Sequence, residues 1–225
     1  MRTRSIRRTL AVLALAFAAG CQHPRYAKYT SANGDFACEI PWGWAIILDS
    51  SGRDYTNATF TGPADPDFFK GVPSLSVRWY KYKAPHRLPD GTYEAYASAD
   101  DFIRQMLRDV YGPSAKTWAG SDSDIAQALA DNKTVPGSSP VQVAGAEGIY
   151  FVVFNTLKAP AGKTYGVVRS DNGDRAIVQR HAYVVLPMRD GFYAVIYPAT
   201  QNGFETYRPA FFRLVNTLRI LKNGP

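Results

Sequence analysis

Phe192-Tyr193-Ala194-Val195-Ile196-Tyr197 (FYAVIY) has an apolar or aromatic side chain at every position and no charge. Successive side chains of a β-strand point to opposite faces, so such a run is apolar on both and must be covered on both. Ile149–Phe154 (IYFVVF) and Tyr183–Leu186 (YVVL) read the same way. Arg189-Asp190-Gly191 forms a tight turn joining two of these runs. Together they predict the central strands of a sheet held between two layers.

Working outward, period-two patterns predict further strands in the first half. Phe36, Cys38 and Ile40 alternate with Ala37 and Glu39 in Asp35–Ile40. Pro41-Trp42-Gly43-Trp44 turns the chain, and Trp44, Ile46 and Leu48 alternate in a second strand. Tyr55–Phe60 is a third. Thr61–Val72 is a loop broken by prolines and glycines. Ser74–Tyr82 is a fourth, with Leu75, Val77 and Trp79 on one face and Ser76, Arg78, Tyr80 and Tyr82 on the other.

Helical spacing appears in three places. Phe102, Ile103, Met106, Leu107 and Val110 form one apolar face, with Ser98 as cap, Asp100 and Asp101 in the first turn, and Gly112-Pro113 as stop. Asp122–Ala130 predicts a shorter helix, followed by a linker-like Asn132–Pro140. Phe204, Tyr207, Phe211, Leu214, Val215 and Leu218 predict a terminal helix. Pro209 is tolerated best in a first turn, which predicts a start near Glu205 or Thr206. Lys158–Gln179 reads as a hairpin turning at Asp171-Asn172-Gly173-Asp174. Strands, helix, strands, helix is an α+β order, and a mostly antiparallel central sheet with helices on both faces is the simplest layout that buries these patterns. The domain reading is a leader over 1–20, a tether over 21–33 and a single domain over 34–225.

The leader sets the address. Met1–Cys21 (MRTRSIRRTLAVLALAFAAGC) has four arginines, an apolar run over Leu10–Phe17, then Ala18-Ala19-Gly20 before Cys21. The run has the length of a signal-peptide core and is too short to cross a bilayer. The ending resembles the lipobox of bacterial lipoproteins, which implies lipidation of Cys21, although Ala18 stands where leucine is commoner. An ordinary secretory signal cut nearby and an uncleaved signal anchor are the alternatives. Gln22, rather than aspartate, follows the cysteine, so the resemblance implies the outer membrane, facing the periplasm. The leader holds four arginines and no acid, so the formal +7 of the whole chain overstates the mature protein by four charges. That weakens any nucleic-acid reading of the basic pI.

Catalytic and metal signatures are not found. His23, His86 and His181 have no second histidine or cysteine at metal-ligand spacing, and no metal or cofactor is expected. Ser170-Asp171-Asn172 has no Ser-x-x-Lys to accompany it, so it reads as a turn. Asp171, Asn172 and Asp174, like Asp65 and Asp67, are too few to cradle calcium. Cys38, alone once Cys21 carries lipid, reads as a small buried hydrophobe. The cluster with most functional promise is Arg78, Tyr80, Lys81, Tyr82, Lys83, His86 and Arg87, cations mixed with rings. Its bland reading is a solvated strand face. Its functional reading is a surface for a partner protein or for anionic lipid headgroups.

Phe36-x-x-x-Ile40-Pro41-x-Gly43-Trp44, Gly191–Tyr197, and then Phe204, Phe211 and Asn216-Thr217-Leu218 resemble the pattern of PsbP-like domains over Gly34–Leu221. The resemblance implies an α/β/α sandwich, shared with a Ran-binding import factor and bacterial envelope lipoproteins. It also implies an accessory or binding role without known catalysis. The expectation is therefore a non-enzymatic, lipid-anchored envelope protein that contacts another envelope component or the membrane. The alternative is a periplasmic small-molecule or ion-binding lipoprotein using a pocket between sheet and helix. An enzyme is the third reading. A cavity with convergent Arg or His side chains would favour the second.

Overall fold

The computed structural model describes residues 25–87, 91–112, 116–118, 138–169 and 173–221. In chain order the elements are β1 (Tyr26–Thr30), β2 (Phe36–Pro41), β3 (Ala45–Ser51), β4 (Tyr55–Thr61), β5 (Ser74–Lys81), β6 (His86–Arg87) and β7 (Tyr93–Glu94). Next come α1 (Ala99–Met106), continued by a π-helical turn at Leu107–Tyr111, then β8 (Lys116–Trp118), β9 (Ser139–Val143) and β10 (Ala146–Lys158). β11 (Val168–Arg169), β12 (Arg175–Pro187), β13 (Gly191–Thr200), α2 (Phe204–Thr217) and β14 (Arg219–Ile220) complete the chain. Cys21 and the expected helix Asp122–Ala130 lie outside the described residues, as do Asp171 and Asn172 of the expected turn.

The main sheet runs β3-β4-β5-β13-β12-β10-β8, with β9 and β11 pairing at its side. Its pairings are antiparallel throughout. The three runs apolar on both faces are neighbours at its middle, β13, β12 and β10, as their composition requires. Gly191 opens β13 where only a hydrogen fits. A Cβ there would stand 2.2 Å from the Tyr80 carbonyl oxygen.

Each face of the sheet carries its own core. Leu75, Val77 and Trp79 of β5, Val195 and Tyr197 of β13, and Val184 of β12 point to one face. There they meet Phe211, Leu214 and Val215 of α2 and Phe36, Cys38 and Ile40 of β2. Phe192, Ala194 and Ile196, with Tyr80, Tyr183 and Val185, point to the other face, under Phe102 and Met106 of α1. The fold is α+β, three-layered, with a helix on each side.

Several expectations need correction. The tether expected over 21–33 is structured in its second half. Tyr26–Thr30 is a strand paired antiparallel with β2, and β2 also pairs with β14, giving a separate three-stranded sheet. Its signal was weak because only Tyr29 of this strand is fully buried. Ser139 and Pro140, read as linker, begin β9. β3 is an edge strand with a register shift between Ile46 and Leu48, so its apolar side chains stay exposed instead of alternating into a core.

Both described helices depart from the regular reading in informative ways. α2 begins at Phe204, which puts Pro209 in the second turn, on the exposed side where solvent can take the carbonyl its missing N–H leaves unpaired. α1 is capped as expected. The Ser98 hydroxyl accepts from Asp101 N–H at 3.0 Å, and the Asp101 carboxylate accepts from Ala97 N–H at 3.0 Å. Its last turn then widens. Val110, expected on the buried face, is 67% exposed, and Tyr111 takes its place inside at 6%. A π-turn inserts one residue per turn, so the buried position after Phe102 and Met106 falls at i+5 rather than i+4.

Candidate ligand cavity

The face of the sheet under α1 is not filled. A cavity of about 470 Å³ lies there, within the range of small-molecule sites. Strand register explains its floor. Ser76, Arg78 and Tyr80 of β5 share one face of the sheet with Ile196 and Pro198 of β13 and Gln179, His181 and Tyr183 of β12. Arg78 stands opposite Ala194, whose methyl leaves the space beside the guanidinium open. The roof comes from Phe102, Met106 and Tyr111, and the rim from the loop at Phe68, Phe69 and Lys70.

One end of the cavity is an aromatic cluster. Tyr80 stacks on Phe192 with centroids 5.0 Å apart and meets Tyr96 edge-on at 5.4 Å; Tyr96 in turn meets Phe102 edge-on at 5.1 Å. His86 stacks on Tyr55 at 4.9 Å. The Tyr96 hydroxyl donates to the Glu94 carboxylate, and His86 Nε2 is 3.6 Å from the same group. Glu94 is thus occupied by its own neighbours.

At the other end the Tyr111 hydroxyl lies 2.5 Å from His181 Nδ1 and 2.5 Å from the Tyr183 hydroxyl. Burial pulls the His181 pKa down to about 4, so the ring is neutral at pH 7. Burial pushes the Tyr183 phenol up to about 12, and it lifts Tyr111 further still. None of these groups ionises near neutrality.

Arg78 is different. Burial opposes its charge, yet the phenols of Tyr80 and Tyr55 hold its pKa above the ordinary guanidinium value, so it remains a cation. Nη1 donates to the Tyr80 hydroxyl at 3.3 Å, while Nε is buried with no partner. Among the described residues no carboxylate lies within ion-pair distance of it. Arg78 is half-buried, and a guanidinium with its Nε shielded from water and no counter-charge beside it is costly.

The seven residues expected to form one outer surface therefore divide. Arg78 and Tyr80 face inward, with Tyr80 only 4% exposed, because α1 covers the strand face that sequence period marked as polar. Tyr82 is partly covered, and its ring is 6.1 Å from Phe192. Lys81 is half-exposed and pairs with Asp54 at 2.9 Å, and Lys83 and Arg87 are exposed. His86, expected in a loop, is buried in β6, and His181, expected at a strand start, lies within β12 at the cavity wall. Cys38 is buried on the opposite face, with its thiol pushed up to about 12 by burial. Among the described residues no cluster of His, Cys, Asp and Glu could hold a metal. Sequence reading missed Tyr111 and Tyr183, which no pattern separates from ordinary core rings.

Comparison with known proteins gives likenesses of shape. The chain is similar to cyanobacterial PsbP from Synechocystis sp. PCC 6803, with a TM-score of 0.46 and 10% identity over 89% of this chain and 95% of that one. It is similar to LpqN, involved in cell envelope biogenesis of Mycobacterium tuberculosis, with a TM-score of 0.39 and 14% identity over 88% and 91%. The Ran-binding protein Mog1p of Saccharomyces cerevisiae gives a TM-score of 0.38 and 8% identity over 88% and 96%. No family model and no curated protein matches the chain.

Proposed function

We propose that this chain is a non-catalytic envelope protein, tethered through acylated Cys21, whose cavity binds a small amphipathic organic anion. The observation that carries the reading is Arg78, a half-buried cation with no carboxylate within ion-pair distance among the described residues, on the wall of a cavity that mixes aromatic rings with polar side chains. A ligand carboxylate, sulfonate or phosphate supplies the missing charge beside the guanidinium. The rings of Tyr80, Tyr96 and Phe102 cover an apolar ligand body.

Binding fits the wall better than catalysis does. A general acid or base works best with a pKa near the working pH, and burial has moved His181 and Tyr183 away from it in opposite directions. The tether rests on the sequence Met1–Cys21. No helix among the described residues is long and apolar enough to cross a membrane, so the described part supplies no helical anchor of its own.

A panel of medium-chain and aromatic acids, each beside its neutral amide, tests the reading by thermal shift. A ligand at a hundred times its Kd stabilises the folded state by about 2.7 kcal/mol. Acids are expected to raise Tm and amides not to, and Arg78→Met is expected to abolish the difference. Equal shifts for acid and amide, or shifts unchanged in Arg78→Met, would contradict it.

A further inference from the structure

We infer that the exposed edge at Ile46-Ile47-Leu48, with Trp42 four residues before it, seats in the interfacial region of the lipid leaflet that holds the anchor. The three consecutive side chains are 51%, 62% and 42% exposed, and Trp42 is 54% exposed. Edge strands are usually blunted by charge, and three apolar side chains in a row on one call for a cover. The register shift between Ile46 and Leu48 is what turns Ile47 outward with its neighbours.

Lipid is the cover that chain length brings closest. Trp42 N–H donates to the Arg25 carbonyl at 3.1 Å, so the patch begins beside the first described residue. Only Gln22, His23 and Pro24 separate Arg25 from Cys21. An extended chain spans at most about 3.5 Å per residue, which confines Arg25 to within roughly 14 Å of the acylated cysteine. The anchor therefore keeps the Arg25 end of the domain, and Trp42 bonded to it, close to the leaflet. Tryptophan is the residue most at home at the headgroup level. This surface is separate from the cavity, but it rests on the proposed acylation of Cys21.

The test uses the full chain, expressed with its own leader and reconstituted into phosphatidylethanolamine–phosphatidylglycerol vesicles with plain or brominated acyl chains. The emission lost from wild type but not from Trp42→Phe belongs to Trp42. Brominated chains are expected to quench that component, and replacing Ile46, Ile47 and Leu48 together by serine is expected to abolish the quenching without lowering Tm. Unquenched Trp42 emission in wild type overturns the proposal whatever the variants do, as does a β3-to-β3 crosslink between two copies. Metabolic labelling of Cys21 with palmitate reads the anchor separately. Label without quenching sinks the seated edge alone, and quenching without label sinks the anchor alone.

Discussion

The Tyr111 hydroxyl sits 2.5 Å from His181 Nδ1, joining the last turn of the first helix to the middle of β12 across a gap of seventy positions in the chain. The π-turn makes this contact possible, because a regular turn would have placed Val110 there. The contact closes one end of the cavity and holds a neutral imidazole against the sheet.

Tyr111→Phe removes that bond and leaves two polar partners short, the buried Tyr183 hydroxyl and the half-buried His181 ring. A lost bond of this kind destabilises by about 1–3 kcal/mol, and urea denaturation should show a loss in that range. Val110→Ala, one residue earlier and exposed, should change stability by less than about 0.5 kcal/mol. If the two effects were reversed, the helix would be running regularly through this turn.

The buried histidine also sets a pH dependence. His181 titrates near 4 when folded and near 6.5 when unfolded, so between those values the unfolded chain binds the extra proton. Stability is therefore full above pH 6.5 and falls as pH drops toward 4, by at most roughly 3 kcal/mol from this one group. Denaturation midpoints followed across that window should show the slope, and His181→Gln should flatten it.

Arg78 should separate stability from binding. Replacing a fully buried ionic group by an apolar side chain of similar volume is often neutral or stabilising by about 1–4 kcal/mol, and for the half-buried Arg78 the gain is expected at the low end. Arg78→Met is expected to melt no lower than wild type without ligand, yet to lose acid binding by tenfold or more, about 1.4 kcal/mol. A variant that unfolds would mean that the guanidinium serves the fold and not a ligand.

Gly191 offers a check on the sheet. Gly191→Ala puts a methyl group 2.2 Å from the Tyr80 carbonyl oxygen and against the Trp79 ring. Overpacking of this sort costs about 1–3 kcal/mol, and more when backbone must move. Calorimetry should show a markedly lower Tm, with β5 and β13 losing amide-exchange protection first.

Much of the architecture was readable in the sequence, and for definite reasons. Val195, Val184 and Val152 belong to runs apolar on both faces, and only the middle of a covered sheet accepts such runs. Ser98, Asp101 and Gly112 bracket the first helix with side-chain chemistry that acts locally. The cavity was not readable in the same way. Arg78 alternates with Leu75, Val77 and Trp79 as a solvated residue would, and period two cannot tell a face open to water from one open to an internal space. Tyr111 was hidden by an irregular turn, and Tyr26–Thr30 by the lack of more than one fully buried side chain.

Arg78 is proposed to hold an organic anion. Native mass spectrometry of the protein purified without denaturant from its own cells, with small molecules then extracted and identified, tests it most directly. Wild type is predicted to carry an acidic amphipathic compound that Arg78→Met has lost. A neutral or cationic compound, or an acid retained equally by both proteins, would contradict it.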